Sequence, residues 1–286
     1  MKKWSHRFAS NSSKGASLAF TFIPLISPNQ PCASARTLGT EQHIPRIFID
    51  RPLSVGQTLD LPTDKTHHLI GVLRLRDDDA VTLFNGTEEE FGARLKIMDK
   101  RRVLATIISA KSPCRESSLS ITLWLGVCKR DAMAAALRRS TELGVSAIQP
   151  VLTDFSAVGS KQVSRLAEKW QQVIEGAAEQ SGRTRLPVLH AVSDLQTLLA
   201  RAMSDPAETR YVAHPGGGGF SPPGEDCQRY LIAIGPEGGF STNEIQSMAG
   251  AGFTAVSLGP RILRAETAPA VALSLLQYAS GDLSGQ

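Results

Sequence analysis

Between positions 44 and about 114, apolar residues recur mainly at every second position in short runs, the pattern of half-buried strands. Arg46-Ile47-Phe48-Ile49 predicts one strand, Gln57–Leu61 a second, and Ala80–Phe84 a third, closed by a turn at Asn85-Gly86. Phe91, Ala93, Leu95 and Ile97 alternate with Gly92, Arg94 and Lys96, and Val103–Ile108 completes the set. Thr66–Leu75 carries Leu69, Val72 and Leu73 at helical spacing and predicts a short helix. Several short strands with one helix predict a small β-barrel, followed by a polar linker over 111–118.

From residue 119 the period changes. Leu119–Val127 is an apolar strand run, and Ala132–Leu143 predicts a helix ended by Gly144 as a left-handed cap. Val145–Leu152 is the next strand. Gln162–Gln180 is the clearest helix, with Val163, Leu166, Ala167, Trp170, Val173, Ile174, Ala177 and Ala178 on one face. There follow a helix over Asp194–Met203, a short strand Tyr211–His214, and a glycine- and proline-rich loop over 215–226. Strand Tyr230–Ile234, helix 242–249, strand Phe253–Leu258 and helix 268–279 close the chain. Strands alternating with helices predict an α/β fold with a mostly parallel sheet covered on both faces. The reading divides the chain into an extension over 1–43, a barrel over 44–114 and a second domain over 119–283.

The extension is unlike the rest. It is rich in Ser, Ala and Pro, and Ala33-Ser34-Ala35 follows a short apolar stretch over Leu18–Ile26 that Pro24 interrupts. A disordered tail is the expectation, with a transit-like or export segment as alternatives. The extension also distorts the charge. Residues 1–40 hold Lys2, Lys3, Arg7, Lys14 and Arg36 and no acid; without these five, 31 basic residues become 26 against 27 acidic, so the body carries about −1. Nucleic-acid binding by the body therefore has to come from local basic patches. The chain has no apolar run of the roughly 18 residues that a membrane helix needs. Cys32, Cys114, Cys128 and Cys227 are scattered, which predicts reduced thiols in a cytoplasm and no metal site.

Candidate chemistry sits in strand-to-helix turns. Ile234-Gly-Pro-Glu-Gly-Gly-Phe-Ser-Thr-Asn-Glu244 ends a strand in glycines, and Ser241 with Glu244 forms a capping box for the next helix. In open parallel sheets such turns bind ligands at the carboxyl ends of strands, and glycines let the backbone approach closely. A purely structural turn fits the motif equally, and a phosphate cradle less well, since no Lys follows the glycines. Leu258-Gly-Pro-Arg-Ile-Leu-Arg-Ala-Glu-Thr-Ala268 ends a second strand in Gly-Pro. Its Arg261, Arg264, Glu266 and Thr267 form either a ligand floor beside a polar reaction site or an arginine–Glu266 pair with Thr267 capping the helix. Lys129, Arg130, Arg138 and Arg139 form a patch suited to RNA phosphates or a solvated helix face. Ala177-Ala-Glu-Gln-Ser-Gly-Arg183 places polar groups where a helix meets a loop. His67, His68, Arg74, Arg76, Arg94 and Lys96 could line a groove on the barrel, although the histidine pair fits a helix start better.

Taken in order, these motifs resemble the RsmE family of SPOUT methyltransferases from Pro45-Arg46-Ile47-Phe48 to about Tyr278. The resemblance includes the H-H-L-x-x-V-L-R segment at 67–74, T-E-L-G-V at 141–145 and A-A-E-Q-S-G-R at 177–183. It implies a PUA-like barrel and a catalytic domain with a C-terminal trefoil knot, in a homodimer with active sites near the subunit interface. It also implies S-adenosylmethionine as cofactor and N3 of a uridine in small-subunit (16S) ribosomal RNA as target. Carried over by motif, Gly235, Pro236, Glu237, Gly238 and Gly239 form one cofactor wall. Leu258, Gly259, Ile262, Leu263 and Arg264 form the other, with Thr267 and Ala268 closing it. Arg264 and Glu266 are the expected catalytic pair. Lys129, Arg130, Arg138, Arg139 and Arg183 are the expected RNA contacts, with Arg74 and Arg76 on the barrel. Arg139 and Ser140 depart from the usual Gln-Lys-Ala-like stretch, and Arg and Lys are not interchangeable in detail. Two other expectations stand beside this one: a non-catalytic ribosome-assembly factor, and a related methyltransferase acting on another RNA base.

Overall fold

Five strands make the first unit: β1 (Arg46–Phe48), β2 (Thr58–Asp60), β3 (Ala80–Phe84), β4 (Glu90–Asp99) and β5 (Arg102–Lys111). The computed structural model describes residues 44–156, 166–203, 208–222 and 227–283, so the expectations for residues 1–43 and for the helix start at Gln162 lie outside the described residues. The strand order is β1-β3-β4-β5-β2, antiparallel except for the β1–β3 pair. The expected alternation holds: Phe91, Ala93 and Leu95 are buried while Arg94 and Lys96 face solvent. They pack with Ile47, Leu59, Leu83, Val103 and Ile107 into one core.

The short helix departs from its expected face. It begins earlier, as α1 (Thr63–His67), and continues as a π-helical turn over His68–Val72 in which Leu73 N donates to His68 O at 3.0 Å. This i→i+5 register widens the turn relative to an α-helix and rotates the stripe. Leu69 is buried, but Val72 and Leu73 are 61% and 40% exposed, so the expected apolar triplet is split between core and solvent.

The second unit holds β6 (Ser120–Gly126), β7 (Ala147–Leu152), β8 (Val188–Leu189), β9 (Ser193–Asp194), β10 (Thr209–Gly219), β11 (Arg229–Ile234) and β12 (Thr254–Ser257). The order is β12-β10-β11-β6-β7-β8, with β9 beside β7 and every pairing parallel. Helices α2 (Arg130–Glu142), α3 (Ala167–Ser181) and α6 (Ala268–Ser280) contribute Met133, Leu137, Trp170, Ile174 and Leu273 to the core over Leu123, Leu125 and Ile232. Helices α4 (Leu195–Ala202) and α5 (Thr242–Gly250) pack Leu198, Leu199 and Met248 against Trp124, Leu231 and Ala233 in a separate core. Successive residues of β6 and β11 thus serve opposite faces, which explains why both read as continuous apolar runs. Among the described residues no helix is long and apolar enough to cross a membrane.

Strand β10 is longer than expected. The glycines assigned to a loop, Gly216–Gly219, fall within it: Gly218 and Gly219 pair with β12, and Gly216 and Gly217 lie in a break in register between Ala213 and Gly218. A Cβ on Gly217 would stand 2.5 Å from Val256 N, so only glycine lets the strand return against β12.

The linker is also more than polar filler. Glu116 accepts from Arg183 Nη2 at 2.8 Å and Nε at 3.1 Å, and from the amides of Thr184 and Arg185 at 2.8 and 3.0 Å. Arg183 Nη1 donates to the carbonyls of Thr141 and Val145. Arg183 is only 7% exposed, and this corrects its assignment to RNA: its donors are consumed inside the protein. Nearby, buried Glu90 is met by Arg46, by Arg115 at 2.5 Å and by Lys111 at 3.4 Å. Glu179 of α3 accepts from Lys65 Nζ at 2.6 Å and from Phe48 N at 2.9 Å. These contacts fasten the barrel to the end of α3.

Removing one partner of a buried ion pair typically costs about 3–5 kcal/mol, because the other charge is left uncompensated. Arg183→Ala is therefore expected to lower the unfolding free energy by about 3 kcal/mol in urea titrations, and Lys at this position to restore little of it. The Glu116 interaction also has a pH signature. Burial by itself pushes its carboxyl up, but the Arg183 guanidinium and the two amides outweigh burial and hold it below the usual carboxylate range. A depressed folded value means the unfolded chain binds the proton more readily, so stability falls with acid. The stability gap between wild type and Glu116→Gln is expected in full above about pH 4.3, the ordinary glutamate value. It should vanish as pH drops through the lowered folded value.

Candidate active site

At the carboxyl ends of β10, β11 and β12 lies a cleft of about 1140 Å³. Its first wall is the turn after β11. Gly239 N donates to Pro236 O at 2.8 Å to close the turn, and the capping box forms as expected: Ser241 Oγ accepts from Glu244 N, and the Glu244 carboxylate accepts from Ser241 N. The same carboxylate accepts from Asp154 N at 3.0 Å, and Ser241 Oγ donates to Asp154 at 2.6 Å, which ties the turn to the end of β7. Beneath it, a Cβ on Gly126 would stand 2.4 Å from Pro236 Cδ, so the end of β6 must be glycine for the turn to seat. Glu237 accepts from Lys129 N at 3.0 Å, joining this wall to the start of α2.

The second wall is the loop between β12 and α6. Leu258, Gly259, Ile262, Leu263, Arg264, Glu266 and Ala268 all line the cleft. So do Gly235, Pro236, Glu237, Gly238 and Gly239 opposite, and Lys129 and Arg130 at the edge. The structure thus gathers residues that lie more than a hundred positions apart in the chain. Arg264 is 86% exposed in its side chain and reaches Glu266 Oε1 only at 4.0 Å, so the two are neighbours without a tight pair. Arg139 Nη1 donates to Glu266 O at 2.9 Å and braces the loop from α2. Arg138 is exposed on the same helix, and Arg74 and Arg76 are exposed on the barrel.

Thr267 departs from its expected roles. It occupies the N-cap position of α6, but its backbone is already helical (φ −95°, ψ −39°), and its side chain makes no capping bond. The carbonyl of Arg264 takes the amides of Thr267 and Ala268, so the chain enters the helix through a turn and needs no hydroxyl. Thr267 does not line the cleft. Several lining residues were not picked out from the sequence as site residues, among them Ala213, His214 and Pro215 from β10, Phe240 from the first turn, and Asp131 and Ala132 from α2. Arg261, noted in its motif without a role, lines it as well. The available signal for His214 was its place at the end of a predicted strand, just before a Pro-Gly run.

Comparison with known proteins fits this geometry. A model of the RNA methyltransferase domain matches residues 115–277, and a model of the RNA methyltransferase PUA domain matches 61–108. The ribosomal RNA small subunit methyltransferase E of Buchnera aphidicola is 31% identical over 85% of this chain and 100% of its own length. The chain belongs to that methyltransferase E family. A second member, from Synechocystis, is 33% identical over 80% of this chain and 76% of its own. The crystal structure of the Neisseria gonorrhoeae methyltransferase E bound to S-adenosyl methionine superposes with a TM-score of 0.78 and 36% identity, covering 84% of this chain and all of that one. In this methyltransferase the PUA model spans α1, β3, β4 and most of β5 of the first sheet, and the RNA methyltransferase model spans the parallel sheet that carries the cleft.

Cys128, next in sequence to the lining residue Lys129, is buried, with Sγ donating to Gly126 O at 3.1 Å. Burial, reinforced by Glu237 and Glu266, pushes its thiol up to about 12, so it stays protonated and unreactive. Peptide-resolved alkylation of the native protein at pH 8 is expected to label exposed Cys114 and to spare Cys128 until denaturant is added.

Proposed function

We propose that this chain transfers a methyl group from S-adenosylmethionine to N3 of a uridine in small-subunit (16S) ribosomal RNA. The observation that carries the reading is the cleft itself: two glycine–proline turns facing each other, with Arg264 and Glu266 on the rim, in a chain of the methyltransferase E family. The residues present fit the cofactor. Ligand sites usually enclose about 300–1,000 Å³, and this cleft is at least that large. No atom lies within 4 Å of where a Cβ on Gly239 or Gly259 would sit, so backbone faces open space on both walls. Leu258, Leu263, Ala265 and Ala268 supply apolar surface for a nucleoside.

S-adenosylmethionine, when bound, supplies a methyl group already activated on a sulfonium. What the chain must add is position and charge. Uracil N3 carries a proton and lies on the pairing edge, so the uridine has to be unpaired or turned out of its stack. Arg264 stabilises the developing uracil anion at O2 or O4. Glu266 accepts the N3 proton, directly or through water, or orients Arg264. The loose 4.0 Å contact leaves the guanidinium available to an RNA base. Lys129, Arg130, Arg138 and Arg139 hold phosphates around the cleft, and Arg74 and Arg76 add contacts further along the RNA.

The same reading includes a homodimer. Ile262 is 89% exposed, and Leu275 and Tyr278 of the following helix α6 are exposed as well, apolar surface that a second copy would cover. It also includes a domain border near residue 114, a trefoil knot through the loops of β10–β12, assembled small subunits as substrate, and a cytoplasmic location. The order β12-β10-β11, in which the last strand lies beyond β10, supports the knot.

The deciding experiment incubates the protein with labelled S-adenosylmethionine and small ribosomal subunits from a strain lacking its own enzyme, then identifies the modified nucleoside by mass spectrometry. 3-Methyluridine at one site is expected; cofactor binding without product would favour the non-catalytic assembly factor. Arg264→Ala should retain cofactor affinity within several-fold while turnover falls about 10²-fold, the usual scale for losing one charge-stabilising donor.

A further inference from the structure

The Pro-Gly segment of β10 is the sequence motif that the proposed reaction leaves unused. β10 runs between β11 and β12, and both Ala213 and Gly218 are opposite Val256 of β12. Residues 214–217 therefore leave the ladder, between the two strands whose turns form the cofactor walls. The departure carries Ala213, His214 and Pro215 into the lining of the cleft.

His214 is held there in a defined state. Its Nδ1 accepts from Gly216 N at 3.0 Å. A ring nitrogen that accepts carries no proton, so the neutral imidazole has its N–H at Nε2. A Cβ on Gly216 would stand 3.3 Å from the ring, and one on Gly217 would strike β12, so the glycines let the turn close around the imidazole. Among the described residues, no acceptor takes the Nε2 proton.

We infer that His214 is a cofactor-binding residue whose Nε2–H donates a hydrogen bond to the adenosyl part of S-adenosylmethionine; this rests on the reading of the cleft given above. Charge decides which end of the cofactor it meets. The amino-acid end is a zwitterion beside a sulfonium, and the charged residues of the lining, such as Lys129, Asp131, Glu237, Arg264 and Glu266, lie on α2, the β11 turn and the β12 loop. The adenosyl end is neutral and offers ring nitrogens and ribose hydroxyls, which suit a neutral N–H donor set between Ala213 and Pro215, on the segment of the lining that carries no Asp, Glu, Lys or Arg.

Calorimetric titration of the full chain with S-adenosylmethionine, S-adenosylhomocysteine and methylthioadenosine, which lacks the amino-acid end, tests this. Three variants separate the two ring nitrogens. His214→Asn keeps an acceptor where Nδ1 stands but lacks a donor at the reach of Nε2; His214→Gln supplies that donor; His214→Ala supplies neither. The expected result is a melting temperature near wild type for the Asn variant, with all three ligands bound about five- to tenfold more weakly, the scale of one neutral hydrogen bond. The Gln variant should recover affinity to within about twofold and the Ala variant should not. Wild-type affinity in the Asn variant would reduce His214 to a brace for its own turn and overturn the inference. So would a Gln variant as weak as Ala, or a loss seen with the two amino-acid-bearing ligands only. Failure of the wild type to bind any of the three would instead overturn the reading of the cleft.

Discussion

The cleft exists because backbones approach one another more closely than any side chain permits. Gly126 lies under Pro236, and Gly217 lies against Val256, each at a distance a Cβ would violate. These two contacts set where β6, β10, β11 and β12 end relative to one another. Everything that faces the cleft hangs on those ends: the turn at 235–239, the loop at 258–268, and the bulge that carries His214. Parallel strands put all these turns on one side of the sheet, the general location of ligand sites in such folds. The side chains that line the cleft are thus placed by residues that have no side chain.

Charge is used in two distinct ways. Around the junction between barrel and sheet, Glu90 gathers Arg46, Lys111 and Arg115, Glu116 of the linker holds Arg183 and two amides, and Glu179 of α3 holds Lys65 and the Phe48 amide of the barrel. Such pairs add little net stability over apolar packing, but they are directional, and a misplaced barrel would strand buried charges. Outside, Lys129, Arg130, Arg138 and Arg264 stay exposed around the cleft. Arg139 stands between the two classes, exposed yet bonded to the carbonyl of Glu266.

Much of this was legible in the chain. The alternation at 91–97 and the amphipathic face of Trp170, Ile174, Ala177 and Ala178 place their elements directly, because period follows burial. The two glycine–proline motifs mark both walls of the cleft. Three features resisted for physical reasons. The π-helical turn at 68–72 shares its composition with an α-helix and differs only in hydrogen-bond register. The glycines of β10 look like a loop because glycine disfavours strands unless another backbone needs the space, a tertiary fact. Arg183 reads as an RNA contact by its charge and motif, yet its acceptors come from residues 116, 141 and 145, which meet it only in the fold.

The assignment of Arg183 bears on how the RNA is held. With about −1 on the body of the chain, no long-range field draws a polyanion to it, and each exposed cation near the cleft carries weight. Moving Arg183 from the surface to the interior leaves the patch on α2 and the β12 loop as the local source of positive charge. That patch borders the carboxyl end of the sheet, beside the turns that form the cofactor walls. Phosphate contacts position a nucleic acid without reading its sequence. In the proposed reaction, selection of one uridine would fall to shape: which base can be turned out and reach the rim at Arg264 while the barrel, joined to α3 through Glu179, Lys65 and Phe48, contacts the RNA elsewhere. The distance between those two contacts would then be set by the same ion pairs that hold the barrel.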